Sequence, residues 1–443
     1  MLSDLRQTQG CSRSRQAKRQ QIKRISIRNE EYNVKINMHK QNGEWPIELP
    51  YYEQYKRIFV QTAKPFAYVN LDLLDANSRA IAAAAGDKKI RVASKSIRSV
   101  EVLRRILHSD KVYQGVMCYT AREAAFLLKH GFDDLLLGYP VWEPGEISIL
   151  LEAAASGRTV VFMVDSIQHV EHIERLAAAT GVQAAVCLDI DMSANYPGLH
   201  FGIWRSPVTS WPLAKPIVER IMQSKWVRLD GVMGYEAQIA GVGDRVSGQW
   251  LKNSFIRQLK RRSIREVAER REEVLQGIHA LGAELRFVNA GGTGSISSSK
   301  LEQGVTEITV GSGFYCPTLF DHYADFQYFP AAGYAVEIVR KPRLDMVTCL
   351  GGGYTASGAV SAEKAPQPHL PEGLTLISLE GAGEVQTPLR CPSGLALELG
   401  DPIFFRHAKA GELCERFPKL YAITGEGIVD EYLTYRGEGE CFL

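Results

Sequence analysis

Between residues 66 and about 315, apolar β-branched runs alternate with amphipathic stretches of helical period. The strand-like runs fall at 66–72, 90–93, 115–118, 134–137, 159–164, 184–190, 231–234, 285–289 and 307–310. Helical stretches follow at 73–85, 100–107, 121–130, 144–155, 170–179, 211–223 and 252–281. That is about eight β/α units over roughly 250 residues, the rhythm of a TIM-type (β/α)8 barrel. A doubly wound sheet would alternate in the same way. The 252–281 stretch is strongly basic, but apolar Phe255, Leu259, Ile264, Val267 and Val274 run through it, as in a solvated barrel helix.

After about Phe329 the rhythm changes. Short segments at 334–340, 346–349, 374–379, 403–406 and 420–424 are bounded by Gly and Pro, which predicts a second, mostly β domain. The expected organisation is α/β: a barrel over 66–325, a C-terminal β-domain over 326–443, and a segment over 46–65 that packs on the β-domain. Residues 1–45 are expected to be a basic, disordered extension, or sequence upstream of a working start near Met38.

Composition changes this picture little. The 443 residues are 45% hydrophobic and 23% charged, as in an ordinary globular protein. No apolar run approaches the ~18 residues that span a bilayer, and the N-terminus lacks the apolar core of a secretory signal. Eight scattered cysteines without a CxxC pair fit reduced thiols in the cytoplasm. The net charge of +2 hides an asymmetry: residues 1–42 hold ten Lys/Arg and three Asp/Glu, leaving 42 basic and 47 acidic residues for the rest. An acidic body argues against nucleic acid as the main partner.

Three places carry candidate chemistry. Lys95 ends the run Ile90-Arg91-Val92-Ala93-Ser94-Lys95. A lysine at the end of a buried strand is costly unless something uses its amine, and an amine there suits Schiff-base chemistry. The turn Asn289-Ala290-Gly291-Gly292-Thr293 and the turn Gly311-Ser312-Gly313-Phe314-Tyr315 each follow a late strand. Their glycines let backbone N–H groups approach an anion, Thr293 and Ser312 add hydroxyls, and on a barrel such loops are the usual phosphate cradle. An early lysine and two late phosphate-type turns suggest pyridoxal phosphate bound in a barrel.

Further motifs join these: Ala67-Tyr68-Val69-Asn70-Leu71-Asp72, Ala121-Arg122-Glu123-Ala124, Gly131-Phe132-Asp133-Asp134, Gly138-Tyr139-Pro140 and Gly234-Tyr235-Glu236. With them the chain resembles the fold-type III pyridoxal phosphate enzymes, specifically the D-threonine aldolase and D-serine dehydratase group related to alanine racemase. The resemblance runs from about Tyr68 to the C-terminus. It implies that Lys95 holds the cofactor, that Arg205 lies near its pyridine nitrogen and Tyr235 beside its ring, and that Gly291, Gly292, Thr293, Gly311 and Ser312 hold its phosphate. Tyr315, close in sequence, could add a hydroxyl.

Two departures from the group's pattern stand out. The stretch after the lysine usually reads Thr-His-Lys and here reads Ser96-Ile97-Arg98. The group's His-x-Cys or His-x-Asp pair, which holds a divalent metal in the β-domain, here reads His407-Ala408-Lys409. A charged ammonium has no lone pair to give a metal. Three readings stay open: Glu412 or Cys414 joins His407 as a ligand, Lys409 itself supplies the positive charge, or His407 is structural and no metal is needed. If the segment is a strand, His407 and Lys409 face the same way and an ammonium there repels a dication. The resemblance implies a lyase, an aldolase or deaminase acting on a D-β-hydroxy-amino acid such as D-threonine or D-serine, with His407 and Lys409 at the β-hydroxyl. It also implies a homodimer. An amino-acid racemase and a non-catalytic pyridoxal phosphate carrier are the alternatives.

Overall fold

The computed structural model describes residues 51–359 and 361–443; the basic segment expected at 1–45 lies outside them. Eight parallel strands close into a barrel: Lys89–Ala93, Tyr113–Cys118, Leu135–Leu137, Val160–Val164, Ala184–Asp189, Val227–Gly234, Phe287–Ala290 and Glu307–Val310. The last pairs with the first, Glu307 opposite Lys89 and Val310 opposite Val92. Leu136, Val161, Met163, Ala185, Cys187, Met233 and Phe287 fill the interior as one buried cluster. Among them Arg91 is fully buried and bidentate on Glu307, Nε to Oε1 at 2.6 Å and the terminal nitrogen to Oε2 at 2.9 Å. Asn289 Nδ2 donates to the same Glu307 Oε1 at 2.8 Å. A buried ion pair survives only when its remaining lone pairs are met in this way.

The run expected as the first barrel strand belongs elsewhere. Phe66–Asn70 lies in a nine-stranded sheet, antiparallel to Ala332–Arg343 and parallel to Lys419–Thr424. All five of its residues are buried, and eight later strands already close the barrel, so it has no edge there to join. Asn70 then caps the helix Leu71–Ala85, accepting from Leu73 N at 3.0 Å, and that helix leads the chain to the first true barrel strand.

The helix Tyr52–Ile58 sits on this sheet. Tyr55 and Phe59 pack with Phe66, Tyr68 and Phe404, ring centroids 4.4–6.1 Å apart in the closer pairs. The long basic stretch is one helix, Trp250–Ala280, whose buried line includes Ile256, Val267, Val274 and Ile278. Phe255 falls outside that line and is exposed.

Candidate active site

The strand ends at one mouth of the barrel surround a cavity of about 700 Å³. Lys95, Arg205, Tyr235, Gly291, Gly292, Thr293, Gly311 and Ser312 all line it, as does Lys409 from the sheet domain. Ser96 and Ser312, 216 positions apart, thus meet because parallel strands deliver their C-terminal loops to one face.

Lys95 lies in a 3-10 turn, Ser94–Ser96, just past its strand. It is exposed to the cavity rather than buried, so the burial argument made for it from sequence does not apply. Its Nζ donates to Tyr139 Oη at 3.2 Å. Burial would raise the Tyr139 phenol, but the cations of Lys95 and Arg205 outweigh it and hold the phenol below its ordinary value. Sequence reasoning quoted Gly138-Tyr139-Pro140 as a motif but gave Tyr139 no role; an aromatic bracketed by Gly and Pro just past a barrel strand was the available signal.

Arg205 is fixed from two sides. Its Nε donates to Asp189 Oδ2 at 2.8 Å, and a terminal nitrogen donates to the Gly138 carbonyl at 2.5 Å. Burial raises the Asp189 carboxyl to about 7 and Arg205 opposes that rise. Burial lowers Arg205, but Asp189 outweighs it and the guanidinium ends above its ordinary value. The guanidinium lies 5.1 Å from the Tyr139 ring centre and 6.0 Å from that of Tyr235. Burial pushes the Tyr235 phenol up to about 12, so the ring stands in the site as a neutral plane.

The two glycine turns form one cradle. Thr293 Oγ1 accepts from Gly313 N at 3.1 Å, and Ser96 Oγ lies 3.2 Å from Ser312 Oγ, joining the late turns to the Lys95 turn. Buried Glu236 anchors the first turn, accepting from Gly291 N at 3.2 Å, Ser295 Oγ at 2.9 Å and Ser299 Oγ. Gly291 has φ +80°, and a Cβ there would lie 2.8 Å from Ile308 Cγ2. A Cβ at Gly311 would lie 2.7 Å from Ser96 Oγ and 2.9 Å from Ala93 Cβ. An amine, a flat aromatic, a cation and an anion cradle that any side chain would fill suit pyridoxal phosphate.

The loop after the sheet strand Pro402–Arg406 departs from expectation. His407 and Lys409 lie beyond the strand and do not face the same way. His407 turns into the core, 3% exposed, with both ring nitrogens unpartnered; burial, then Arg406, lowers it to about 3. Glu412 accepts from Ser357 N at 2.9 Å and from Ser357 Oγ. Cys414 is buried and donates to the Ile97 carbonyl at 3.3 Å, with burial raising its thiol to about 12. Among the described residues no three His, Cys, Asp or Glu side chains are placed to hold a metal ion. His407, Glu412 and Cys414 are thus not gathered into such a group.

Tyr315 also differs from expectation. Its hydroxyl donates to the same Ile97 carbonyl at 3.2 Å and stays outside the cavity. Ile97, which departs from the Thr-His-Lys pattern noted above, is fully buried and offers only its backbone. Arg98, at φ +53°, bonds the Lys95 carbonyl at 2.9 Å and ion-pairs with Glu415. Tyr435 N donates to the Arg98 carbonyl at 3.0 Å, while its hydroxyl donates to buried Glu123 at 2.8 Å. Burial lifts the Glu123 carboxyl to about 7 against the pull of these bonds. The Lys95 turn is therefore clamped from the sheet domain.

Residues 69–318 match the family model for the N-terminal domain of alanine racemase. A 3-hydroxy-D-aspartate aldolase of Paracoccus denitrificans (strain Pd 1222) is 24% identical over 233 residues, covering 52% of this chain and 54% of the relative. A second one, from Paracoccus denitrificans, is 25% identical over 181 residues, 40% of this chain and 44% of the relative. The chain thus matches about half the length of these curated relatives or less. Among solved structures, D-threonine aldolase from Filomicrobium marinum superposes with a TM-score of 0.72 at 16% identity, covering 86% of this chain and 96% of that one. D-threo-3-hydroxyaspartate dehydratase from Delftia sp. HT23 gives 0.67 at 17%, covering 85% and 98%. At these identities the superpositions establish the fold, a closed barrel with a mostly β second domain.

Proposed function

The chain belongs to the family of the alanine racemase N-terminal domain, and from that premise we propose that it is a pyridoxal phosphate-dependent lyase acting on D-3-hydroxy-amino acids by aldol cleavage or β-elimination. The observation that carries this reading is the convergence of Lys95, Arg205 and both glycine turns on one cavity. The names of the curated relatives, both 3-hydroxy-D-aspartate aldolases, support the substrate class.

Pyridoxal phosphate supplies an electron sink that weakens the bonds at the substrate α-carbon. Lys95 would carry it and, once its amine is free, act as a base. Tyr139, 3.2 Å away and held acidic by two cations, can exchange a proton with that amine. Arg205, locked by Asp189 and Gly138, keeps a positive charge beside the Tyr139 and Tyr235 rings. Ser96, Thr293, Ser312 and the N–H groups of the turns would hold the phosphate. Lys409 brings an ammonium from the sheet domain to the β-hydroxyl. It donates to Ser357 Oγ at 3.0 Å and lies 3.9 Å from Glu412, which orients it and leaves a proton to donate.

A racemase needs two opposed bases, whereas Lys95 and Tyr139 stand together, which supports the lyase. Borohydride reduction and peptide mapping test the cofactor site, with the label expected on Lys95. Products from D-threonine, D-serine and D-3-hydroxyaspartate test the reaction: glycine plus aldehyde marks cleavage, keto acid plus ammonia elimination, and the L-isomer would replace this reading with racemisation.

The homodimer and the cytoplasmic setting are part of the same proposal. Exposed Ile203 and Trp204, with Trp250 and Leu251 beside the cavity-lining Lys252, support a covering partner at the mouth. An active monomer in light scattering removes the first. Seven free cysteines among the described residues support the second.

A further inference from the structure

We propose that the ammonium groups of Lys364 and Lys409 form a subsite for a carboxylate on the substrate's β-substituent, so that the enzyme prefers dicarboxylic 3-hydroxy-amino acids. The inference rests on the reaction class proposed above and narrows its substrate.

The charges around the cavity motivate it. Five cationic side chains line the cavity, Lys95, Arg205, Lys252, Lys364 and Lys409, against one carboxylate, Glu363. Two of the five are already committed. Lys95 would be bonded to the cofactor, and Arg205 is compensated by Asp189 at 2.8 Å. The phosphate has its own donors in the glycine turns.

Lys364 and Lys409 flank one turn of the sheet domain. Lys409 Nζ donates to Ser357 Oγ at 3.0 Å, and Lys364 Nζ lies 3.7 Å from the position of a Cβ at the next residue, Gly358. The Lys364 ammonium makes no hydrogen bond or ion pair among the described residues. Lys409 is half-buried; burial lowers its pKa, Glu412 opposes this, and Lys364 and Lys95 lower it further. Glu412, 3.9 Å from Lys409, offsets that ammonium and leaves Lys364 without a counter-charge, so the two together favour an anion in this partly desolvated wall. Lys409 is placed at the β-hydroxyl, so the group reaching its neighbour Lys364 is the substituent on the β-carbon.

The test uses the cofactor-loaded enzyme. With 3-hydroxy-D-aspartate and D-threonine as paired substrates, Lys364→Met is expected to raise KM for the dicarboxylic one by about tenfold more than for D-threonine, the size of one charge-assisted contact. Lys364→Arg should restore most of the preference. Equal effects on both substrates, or on neither, overturn the proposal. A second arm needs no turnover: succinate and butyrate are titrated against the cofactor absorption band. Succinate binding about tenfold tighter than butyrate, with the difference lost in Lys364→Met, supports the subsite, and equal binding overturns it. If neither substrate is consumed, the reaction class fails while the succinate arm still decides the subsite.

Discussion

The barrel mouth and the sheet-domain loop meet at Lys95, yet they are built on different terms. At the mouth, Lys95, Arg205 and the two glycine turns follow parallel strands, and the geometry of a closed barrel carries all of them to one cavity. In the loop after Pro402–Arg406 no repeating geometry applies. His407, Lys409, Glu412 and Cys414 lie within eight residues and part three ways: His407 enters the core, Lys409 and Glu412 meet at Ser357 by the cavity, and Cys414 bonds the Ile97 carbonyl. Proximity in sequence brings side chains together only where a regular element fixes their directions.

The largest expected effect lies on the barrel side. Lys95→Ala should remove the reducible cofactor link and lower kcat by about a thousandfold or more. A variant that keeps both would move the chemistry to another amine and break the comparison at its strongest point.

Lys409→Met comes next. If its ammonium acts where a metal was expected, kcat should fall by about a hundredfold while the cofactor spectrum persists. Wild-type activity should survive a chelator. Activity lost in chelator and regained with a divalent cation would make the loop a metal site after all, with Glu412→Gln and Cys414→Ser showing which residue binds.

Two glycines test how tightly the regions are pressed together. Gly411 has φ +85°, and a Cβ there would fall on the Lys95 carbonyl. Gly411→Ala should destabilise the fold by about 2–4 kcal/mol in denaturant melts. Gly311→Ala crowds Ser96 and Ala93 instead, and should weaken cofactor binding by about tenfold with a smaller change in stability. Equal losses of stability in the two variants would mean that the cradle and the clamp are one structural unit.

The last effect is a pH dependence, spread over the clamp that joins the regions through Glu123 and Tyr435. The Glu123 carboxyl rises from 4.5 to about 7 on folding, so the folded state binds the extra proton. Its contribution is fully present below about pH 4.5 and is lost as pH rises through 7, on the order of 3 kcal/mol in all. Glu123→Gln should flatten that decline in melts taken from pH 4.5 to 8. An unchanged slope would place the titration elsewhere.

Much of the fold was legible because periodicity encodes it. The β/α alternation gave the barrel, and the change to short strands bounded by Gly and Pro gave the second domain. The run at 66–72 misled for a plain reason: a strand buried on both faces reads alike in a barrel and in a sheet. Only closure of the barrel by Lys89–Ala93 and Glu307–Val310 excludes it. The glycine turns were legible because each follows a strand at a place where a Cβ would crowd its neighbours, Ile308 at Gly291 and Ser96 and Ala93 at Gly311. Tyr139, Asp189 and Glu236 were not, since each acts through a partner distant in sequence.

The sequence by itself determined the architecture and set Lys95 and the two glycine turns just past strand ends, because strand period, helix period and glycine are local properties of the chain. Tertiary structure alone decided which way His407 and Lys409 point, that Tyr315 and Cys414 brace the backbone at Ile97, and that Lys364 stands beside Lys409. Those outcomes depend on where two domains press against each other, and no local pattern of residues specifies that contact.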